Sequence, residues 1–222
     1  PFEPSAEGYL YFMDHLLMDG RQEDAFAEQN SKQPVSANDA GELIKQLKQI
    51  DSYTKTESAQ YSYRDETNLF NEGKLAIYVN GVWGAPMITD EITAEYALLP
   101  TASGTSMSCE SACLGYVLGK SMEREKQEAS IRFLKYMMSE DVQLRIFEET
   151  GQIPANPKIT LEKYRDKQAR VYQASEKVLH AQKKIEVTDN FWTAVKKAEI
   201  TDGLSKLLSG ELTDQQFQSI IQ

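Results

Sequence analysis

The 222-residue sequence has few of the features that announce a metal site, a cofactor or a membrane span. It contains two histidines, His15 and His180, and two cysteines, Cys109 and Cys113. Four side chains so scattered do not suit a zinc site, and we expect neither a metal nor a cofactor. No apolar run approaches the roughly 18 residues of a membrane-spanning helix. No secretory signal peptide is visible at the start of the sequence.

The cysteine spacing leaves two arrangements open. In a strand, the four residues from Cys109 to Cys113 would cover about 13 Å, whereas a disulfide needs its Cα atoms within about 7 Å. In a tight loop the same two residues could pair. We expect instead two small buried thiols, the commoner state of such cysteines.

Positive charge is also scarce. The formal net charge is -10, and lysine and arginine form no block, which argues against nucleic-acid binding. The same balance disfavours attraction to anionic membranes and to anionic ligands, so a neutral ligand fits most easily. Hydrophobic content of 41% and charged content of 26% are ordinary for a soluble globular protein of one large or two small domains.

Motifs for catalysis are missing as well. The stretch Gly115–Ser121 reads GYVLGKS, one residue short of a phosphate-binding loop, which would need a glycine at Leu114. Neither G-x-S-x-G nor H-E-x-x-H occurs. The 34 acidic residues are so many that a carboxylate pair chosen among them carries no weight. We therefore expect no enzymatic activity.

The sequence does contain an informative stretch, from Asn68 to Pro86, which combines an apolar segment, a break in the chain and a tryptophan. Leu75–Val79 is apolar without alternation, which is typical of a strand covered on both faces. Asn80 and Gly81 end this strand, and Trp83 follows at once. An aromatic side chain at the end of a buried strand lies where open α/β sheets bind ligands. The alternative is a core tryptophan under a loop.

Apolar residues at helical spacing and capping residues predict a series of helices. They are placed at residues 7–18, 36–50, 64–71, from Ser121 onward, from Ser139 to Gly151, 161–184, 191–208 and from Thr213 to the end. Two further buried strands are predicted at 95–100 and 112–118, with a loop over 101–110 between them and an extended linker over 153–157. His15 is expected to pack in the core.

The order of four motifs resembles a known family. They read LFNEGKLAIYVNGVW, EYALLP, EASIRFLKYMMSEDVQLRIFEETGQIPAN and DNFWTAVKKA, from residue 69 to residue 198. From about residue 36 to the end, the chain resembles the extracellular solute-binding proteins of carbohydrate ABC transporters, the maltose-binding-like group.

The resemblance implies a helix-rich α/β fold of the periplasmic-binding-protein-like type II, with two lobes that close over a ligand. This chain would be the C-terminal lobe with a small part of the N-terminal lobe. Residues 1–113 would form the first part of the C-terminal lobe, 114–153 would cross to the N-terminal lobe, and 154–222 would form the helical end. The N-terminal leader and most of the N-terminal lobe would then lie outside this sequence.

The resemblance also implies a set of ligand-binding residues. Trp83 and Trp192 match family aromatics that stack on sugar rings, whose C–H faces pack against aromatic faces. For Trp192 the alternative is plain helix packing. Glu110 stands where the family often has a glycine-rich turn and would supply a side-chain acceptor, and Asn190 is a further hydrogen-bonding candidate. Phe2 aligns loosely with another family aromatic.

The function implied is binding of a mono- or oligosaccharide and its delivery to the permease subunits of an ABC transporter. The family is extracellular, either as a membrane-anchored lipoprotein or in the periplasm, and we expect a monomer. The alternatives are a binding protein for another small polar solute, a carbohydrate-active enzyme domain, and a helical interaction module with no small ligand.

Overall fold

In the computed structural model, the described residues are 2–18, 37–55, 58–101, 103–110, 115–120, 123–187 and 192–222. Within them the helices are α1 Ala6–Met18, α2 Ala37–Asp51, α3 Tyr63–Asn71, α4 Arg124–Met137, α5 Glu140–Thr150, α6 Ala169–Leu179, α7 Ala194–Leu208 and α8 Asp214–Ile221. The strands are β1 Met107–Glu110 and β2 Lys183–Glu186, and short 3₁₀ turns lie at Ser58–Gln60, Val82–Met87 and Glu162–Tyr164.

The helix ends follow from local capping chemistry. The Thr213 hydroxyl accepts from the backbone N–H of Gln216, and the Gln216 side chain accepts from the backbone of Thr213, so the predicted capping box of α8 is confirmed. Helix α5 follows Ser139 and ends at Gly151, whose φ of 72° is the left-handed conformation that favours glycine. The predicted helix at 36–50 forms as α2, while Ser36 lies outside the described residues.

The long helix predicted at 161–184 is wrong at both ends, because only Ala169–Leu179 is α-helical. The chain forms a short 3₁₀ turn, then α6, and then strand β2. Strand β2 pairs in parallel with β1, in a register that aligns Met107 with Lys183 and Glu110 with Glu186. The predicted loop at 101–110 therefore ends in a strand. Pairing between segments so far apart in the chain overrides local preference, and no local pattern reports it.

The three predicted buried strands are also corrected. Residues 75–79 are extended but form a single parallel bridge, Phe2 with Ile77. Leu75 and Val79 are buried while Ile77 is 53% exposed, so the segment is covered at its two ends and open at its middle, and it is not covered on both faces as expected. Residues 95–100 have no regular secondary structure. Residues 115–118 are exposed, and residues 112–114 lie outside the described part of the chain. Apolar runs are consistent with strands, but the backbone partners that make a sheet are distant in sequence.

Two larger hydrophobic cores, and a small third one of Met107 and Ile185, hold the described residues together. The first lies among α1, α2, α7 and α8 and includes Tyr9, Met13, Leu43, Leu47, Ile200, Leu204 and Phe217. The second joins α5, α6 and the turn Val82–Met87 and includes Ala85, Leu144, Phe147, Tyr164 and Val171. No helix in the described ranges is long and apolar enough to cross a membrane.

Helix α4 differs from the others because none of its residues is buried. Several of its apolar side chains are exposed to solvent instead, as are those of the preceding segment. The exposed set includes Tyr116, Val117, Ile131, Phe133 and Tyr136. The sequence pattern correctly placed a helix here, and within the described residues its apolar side chains are at most partly covered, as Leu134 and Met137 are.

Candidate functional site

Trp83 lies in the 3₁₀ turn that follows the extended segment 75–79. The turn begins after Gly81 and contains Pro86, and its Ala85 packs into the second core. The indole itself is 46% exposed. A large aromatic side chain on a turn anchored in the core is therefore half open to solvent, as ligand stacking requires.

One face of the Trp83 ring rests on Gly81. A Cβ built on Gly81 would lie 2.3, 2.4 and 2.5 Å from three consecutive atoms of the six-membered ring, Cη2, Cζ3 and Cζ2. A point in the plane outside a ring cannot be almost equally close to three consecutive ring atoms, so this Cβ would lie over the ring face. The backbone of Gly81 is extended, with φ −77° and ψ 177°, so the indole, and not the backbone conformation, requires a glycine here.

The residues before Trp83 are held by side-chain hydrogen bonds. The Asn80 amide donates to the Tyr78 hydroxyl, which lies 2.8 Å from the Thr67 hydroxyl, and Asn80 Oδ1 accepts from the Gly81 N–H at 2.8 Å. A Cβ on Gly84 would lie 3.0 Å from the Asn80 side chain, so the turn closes tightly over it. These contacts fix the backbone that carries the indole.

Glu66 ties this segment to the start of the chain. Its fully buried carboxylate accepts from the Ser5 N–H at 3.0 Å and from the Val79 N–H at 2.9 Å. Burial raises the pKa of the Glu66 carboxyl, and the two backbone donors offset part of that rise. One carboxylate thus satisfies backbone groups of two segments that are also joined by the bridge between Phe2 and Ile77.

Helix α1 brings several of the predicted site residues together. The Tyr11 ring meets Trp83 at a centroid distance of 6.3 Å and an angle of 68°. The next residue, Phe12, meets Phe2 at 6.1 Å and 79°. From the sequence, neither Tyr11 nor Phe12 was predicted to lie in the site. Two adjacent aromatic residues in the helix predicted at 7–18 were the feature that could have indicated it.

His15 joins α1 to strand β1. It is 7% exposed, as expected of a core histidine; Nε2 lies 3.2 Å from the Met107 carbonyl oxygen and Nδ1 lies 2.9 Å from that of Tyr11. The Cys109 sulfur is 3.3 Å from Nδ1. Cys109 is a free thiol whose pKa is raised by burial and by Asp14. Cys113 lies outside the described residues.

The other predicted site residues lie elsewhere. Glu110 is the last residue of β1, and not part of a loop, and it is opposite Glu186. Trp192 precedes Thr193, the N-cap of α7, so it lies before the helix and not within it; it is partly buried against the first core. Asn190 lies outside the described residues. Among the residues that the structure describes, no group of three or more metal-binding side chains occurs.

Residues 3–175 match the family model of bacterial extracellular solute-binding proteins. The match covers well over half of the chain. The chain belongs to this family of solute-binding proteins. The resemblance read from the motif order is thereby confirmed. No curated protein sequence matches the chain.

Solved structures share the fold. A Streptococcus pneumoniae solute-binding protein in complex with the blood group A-trisaccharide is similar over 98% of this chain and 57% of its own, with 20% identity and a TM-score of 0.77. A chitin oligosaccharide binding protein is similar over 99% and 58%, with 20% identity and a TM-score of 0.79.

A third structure comes from work on xylan utilization by the thermophilic bacterium Caldanaerobius polysaccharolyticus. It is similar over 100% of this chain and 60% of its own, with 16% identity and a TM-score of 0.69. The helix-rich periplasmic-binding-protein-like fold is confirmed. The chain spans 57% to 60% of the length of these structures.

Proposed function

We propose that this solute-binding protein captures a carbohydrate, stacks one of its rings on Trp83, and delivers it to the permease of an ABC transporter. The observation that carries the proposal is the Trp83 indole, which rests with one face on Gly81 and stays 46% exposed. Of the similar structures, one is a complex with a blood group trisaccharide, one is a chitin oligosaccharide binding protein and one comes from work on xylan utilization. These sugars concern those proteins, and they support a carbohydrate here.

The chemistry of a sugar suits this surface. A pyranose presents an apolar C–H face that packs on an aromatic ring, while its hydroxyl groups need polar partners. Asn190 and Glu110 are the polar partners we propose, with Trp192 and Phe2 as further aromatic contacts. A net charge of -10 is compatible with a neutral ligand and unfavourable for an anionic one.

The remaining wall of the binding cleft comes, in this proposal, from an N-terminal lobe. The segment 114–153 crosses to that lobe and returns through α5, which packs in the second core with residues of the C-terminal lobe, while the exposed apolar side of α4 packs against the N-terminal lobe. Residues 1–113 and 154–222 form the C-terminal lobe. The protein acts outside the cytoplasmic membrane, in the periplasm or as an anchored lipoprotein, and it works as a monomer.

The test is calorimetric titration of the full-length natural protein with sugars chosen by a thermal-shift panel. Trp83→Ala should weaken binding by more than about tenfold, because the stacking surface is lost. Tyr53→Ala is the control, since Tyr53 is a highly exposed aromatic on a different part of the chain. Unchanged sugar affinity of the Trp83→Ala variant would rule out this site. A thermal-shift panel in which no sugar raises the melting temperature would rule out carbohydrate binding.

We also propose that the protein carries out no reaction on its ligand. The family and the similar structures are binding proteins. Incubating the bound sugar with the full-length protein and analysing it by chromatography should return it unchanged. A new product that disappears with Trp83→Ala would assign an enzymatic activity instead.

A further inference from the structure

We propose that Tyr11 is a positioning residue, which holds the Trp83 indole in the orientation that stacks on the sugar. The inference rests on the proposed function, because it concerns the same binding surface. Tyr11 and Trp83 are 72 positions apart in the sequence, on helix α1 and on the turn Val82–Met87.

Two contacts define the position of the indole. The first is the Gly81 backbone against one face of the six-membered ring. The second is the Tyr11 ring, at 6.3 Å between centroids and 68° between planes, within the range of roughly 4.5–7 Å in which edge-to-face aromatic pairs attract. A half-exposed tryptophan without such contacts would populate several staggered rotamers.

Tyr11 can act as a fixed reference because its own helix is fixed at three places. Tyr9 and Met13, on either side of it, are fully buried in the first core. At the start of α1, a Cβ on Gly8 would lie 3.5 Å from the Val79 Cβ, so the helix packs on the segment that leads to Trp83. Four residues after Tyr11, the His15 ring contacts the Met107 carbonyl oxygen.

A fixed orientation bears directly on affinity. Stacking requires the ring face to lie against the C–H face of the sugar, and a side chain that must first be ordered loses conformational entropy on binding. An indole held by Gly81 and Tyr11 is ordered before the sugar arrives. Removing the tyrosine ring should therefore weaken binding even though the sugar-stacking residue itself is unchanged.

The test compares Tyr11→Phe with Tyr11→Leu in the full-length natural protein, using a sugar identified by the thermal-shift panel. Phenylalanine keeps the ring, so affinity should stay within about twofold, whereas leucine should weaken it by at least about fivefold. The second readout needs no sugar. The near-UV circular dichroism of Trp83, isolated by subtracting the spectrum of a Trp83→Phe variant, should collapse with Tyr11→Leu and persist with Tyr11→Phe.

The outcomes separate this inference from the proposed function. If Tyr11→Leu changes neither readout, or weakens binding while the Trp83 signal persists, positioning by Tyr11 is overturned. If Trp83→Ala leaves sugar binding intact, the proposed site fails, whatever the Trp83 signal shows. Far-UV circular dichroism checks that the Tyr11→Leu variant folds. If it does not fold, Tyr11→Met takes its place, because methionine fills a similar volume without a ring. Tyr53→Leu is the matched control at an exposed tyrosine.

Discussion

Gly151 packs directly on the backbone of Trp83. A Cβ on Gly151 would lie 3.3 Å from the Trp83 Cα and 2.7 Å from the Val82 carbonyl oxygen. Gly151 ends helix α5 in a left-handed conformation and begins the segment that leads to residue 154. The end of one helix and the turn that carries the proposed stacking residue are therefore in contact, and a change at one is transmitted to the other.

Replacing Gly151 by alanine should destabilise the fold and weaken sugar binding together. The added methyl group would meet a backbone oxygen that cannot move without shifting the Trp83 turn, at a cost of about 1–3 kcal/mol beyond the strain of the left-handed backbone. Gly210→Ala is the matched control, because Gly210 has a φ of 80° and no atom within 4 Å of its missing Cβ. Denaturant unfolding and calorimetry of both variants measure the difference, and equal losses would show that only backbone strain matters.

Gly81→Ala should displace the indole without straining the backbone. The φ and ψ values of Gly81 are accessible to alanine, so stability should change little while sugar affinity falls by about tenfold, as in Trp83→Ala. Gly41→Ala in α2, where the added Cβ meets nothing within 4 Å, should leave affinity unchanged and stabilise the helix by about 0.5–1 kcal/mol. Wild-type affinity of the Gly81 variant would mean that stacking does not need this position of the ring.

Glu66 should make stability depend on pH. Its folded-state pKa is raised, so as pH increases from the ordinary value of 4.5, the unfolded chain loses this proton before the folded chain does. The contribution of Glu66 to the free energy of unfolding should therefore decrease as pH rises through the folded-state pKa. Glu66→Gln replaces the carboxyl with a group that does not titrate. The difference in free energy of unfolding between wild type and variant, measured by urea unfolding at a series of pH values, should therefore shrink as pH rises. A difference independent of pH would contradict the raised pKa.

The sequence was sufficient for the elements whose causes are local. Helix α5 was predicted from Ser139 to Gly151, and α8 from the pair Thr213 and Gln216, because caps and helical periodicity act within a few residues. The break in the chain at Asn80 and Gly81, directly before the turn that carries Trp83, was likewise predicted. The pairing of β1 with β2 was missed because its partners are 76 positions apart, and burial of residues 115–118 was wrongly inferred from their apolar character.

Within the candidate site, the residue types were visible but their contacts were not. The glycine at position 81 read as a chain breaker, whereas the structure shows that the indole lies over it. Nothing in the sequence distinguished Glu66 from the others among the 34 acidic residues, whereas it is fully buried between two backbone donors. Both roles depend on residues that approach in three dimensions, and periodicity and composition carry no information on such approaches.

The absence of buried residues in α4 has a consequence for the local stability of the protein. A helix that buries no residue receives little stabilisation from tertiary packing and depends on propensity and on pairs along its own surface, such as Arg124 with Glu128. Its backbone hydrogen bonds should therefore open, and its amide protons exchange with solvent, far more readily than those of α1 or α7. In a longer chain that covers its apolar side, as we propose for an N-terminal lobe, the same helix would exchange slowly, so amide exchange in α4 tests that proposed contact.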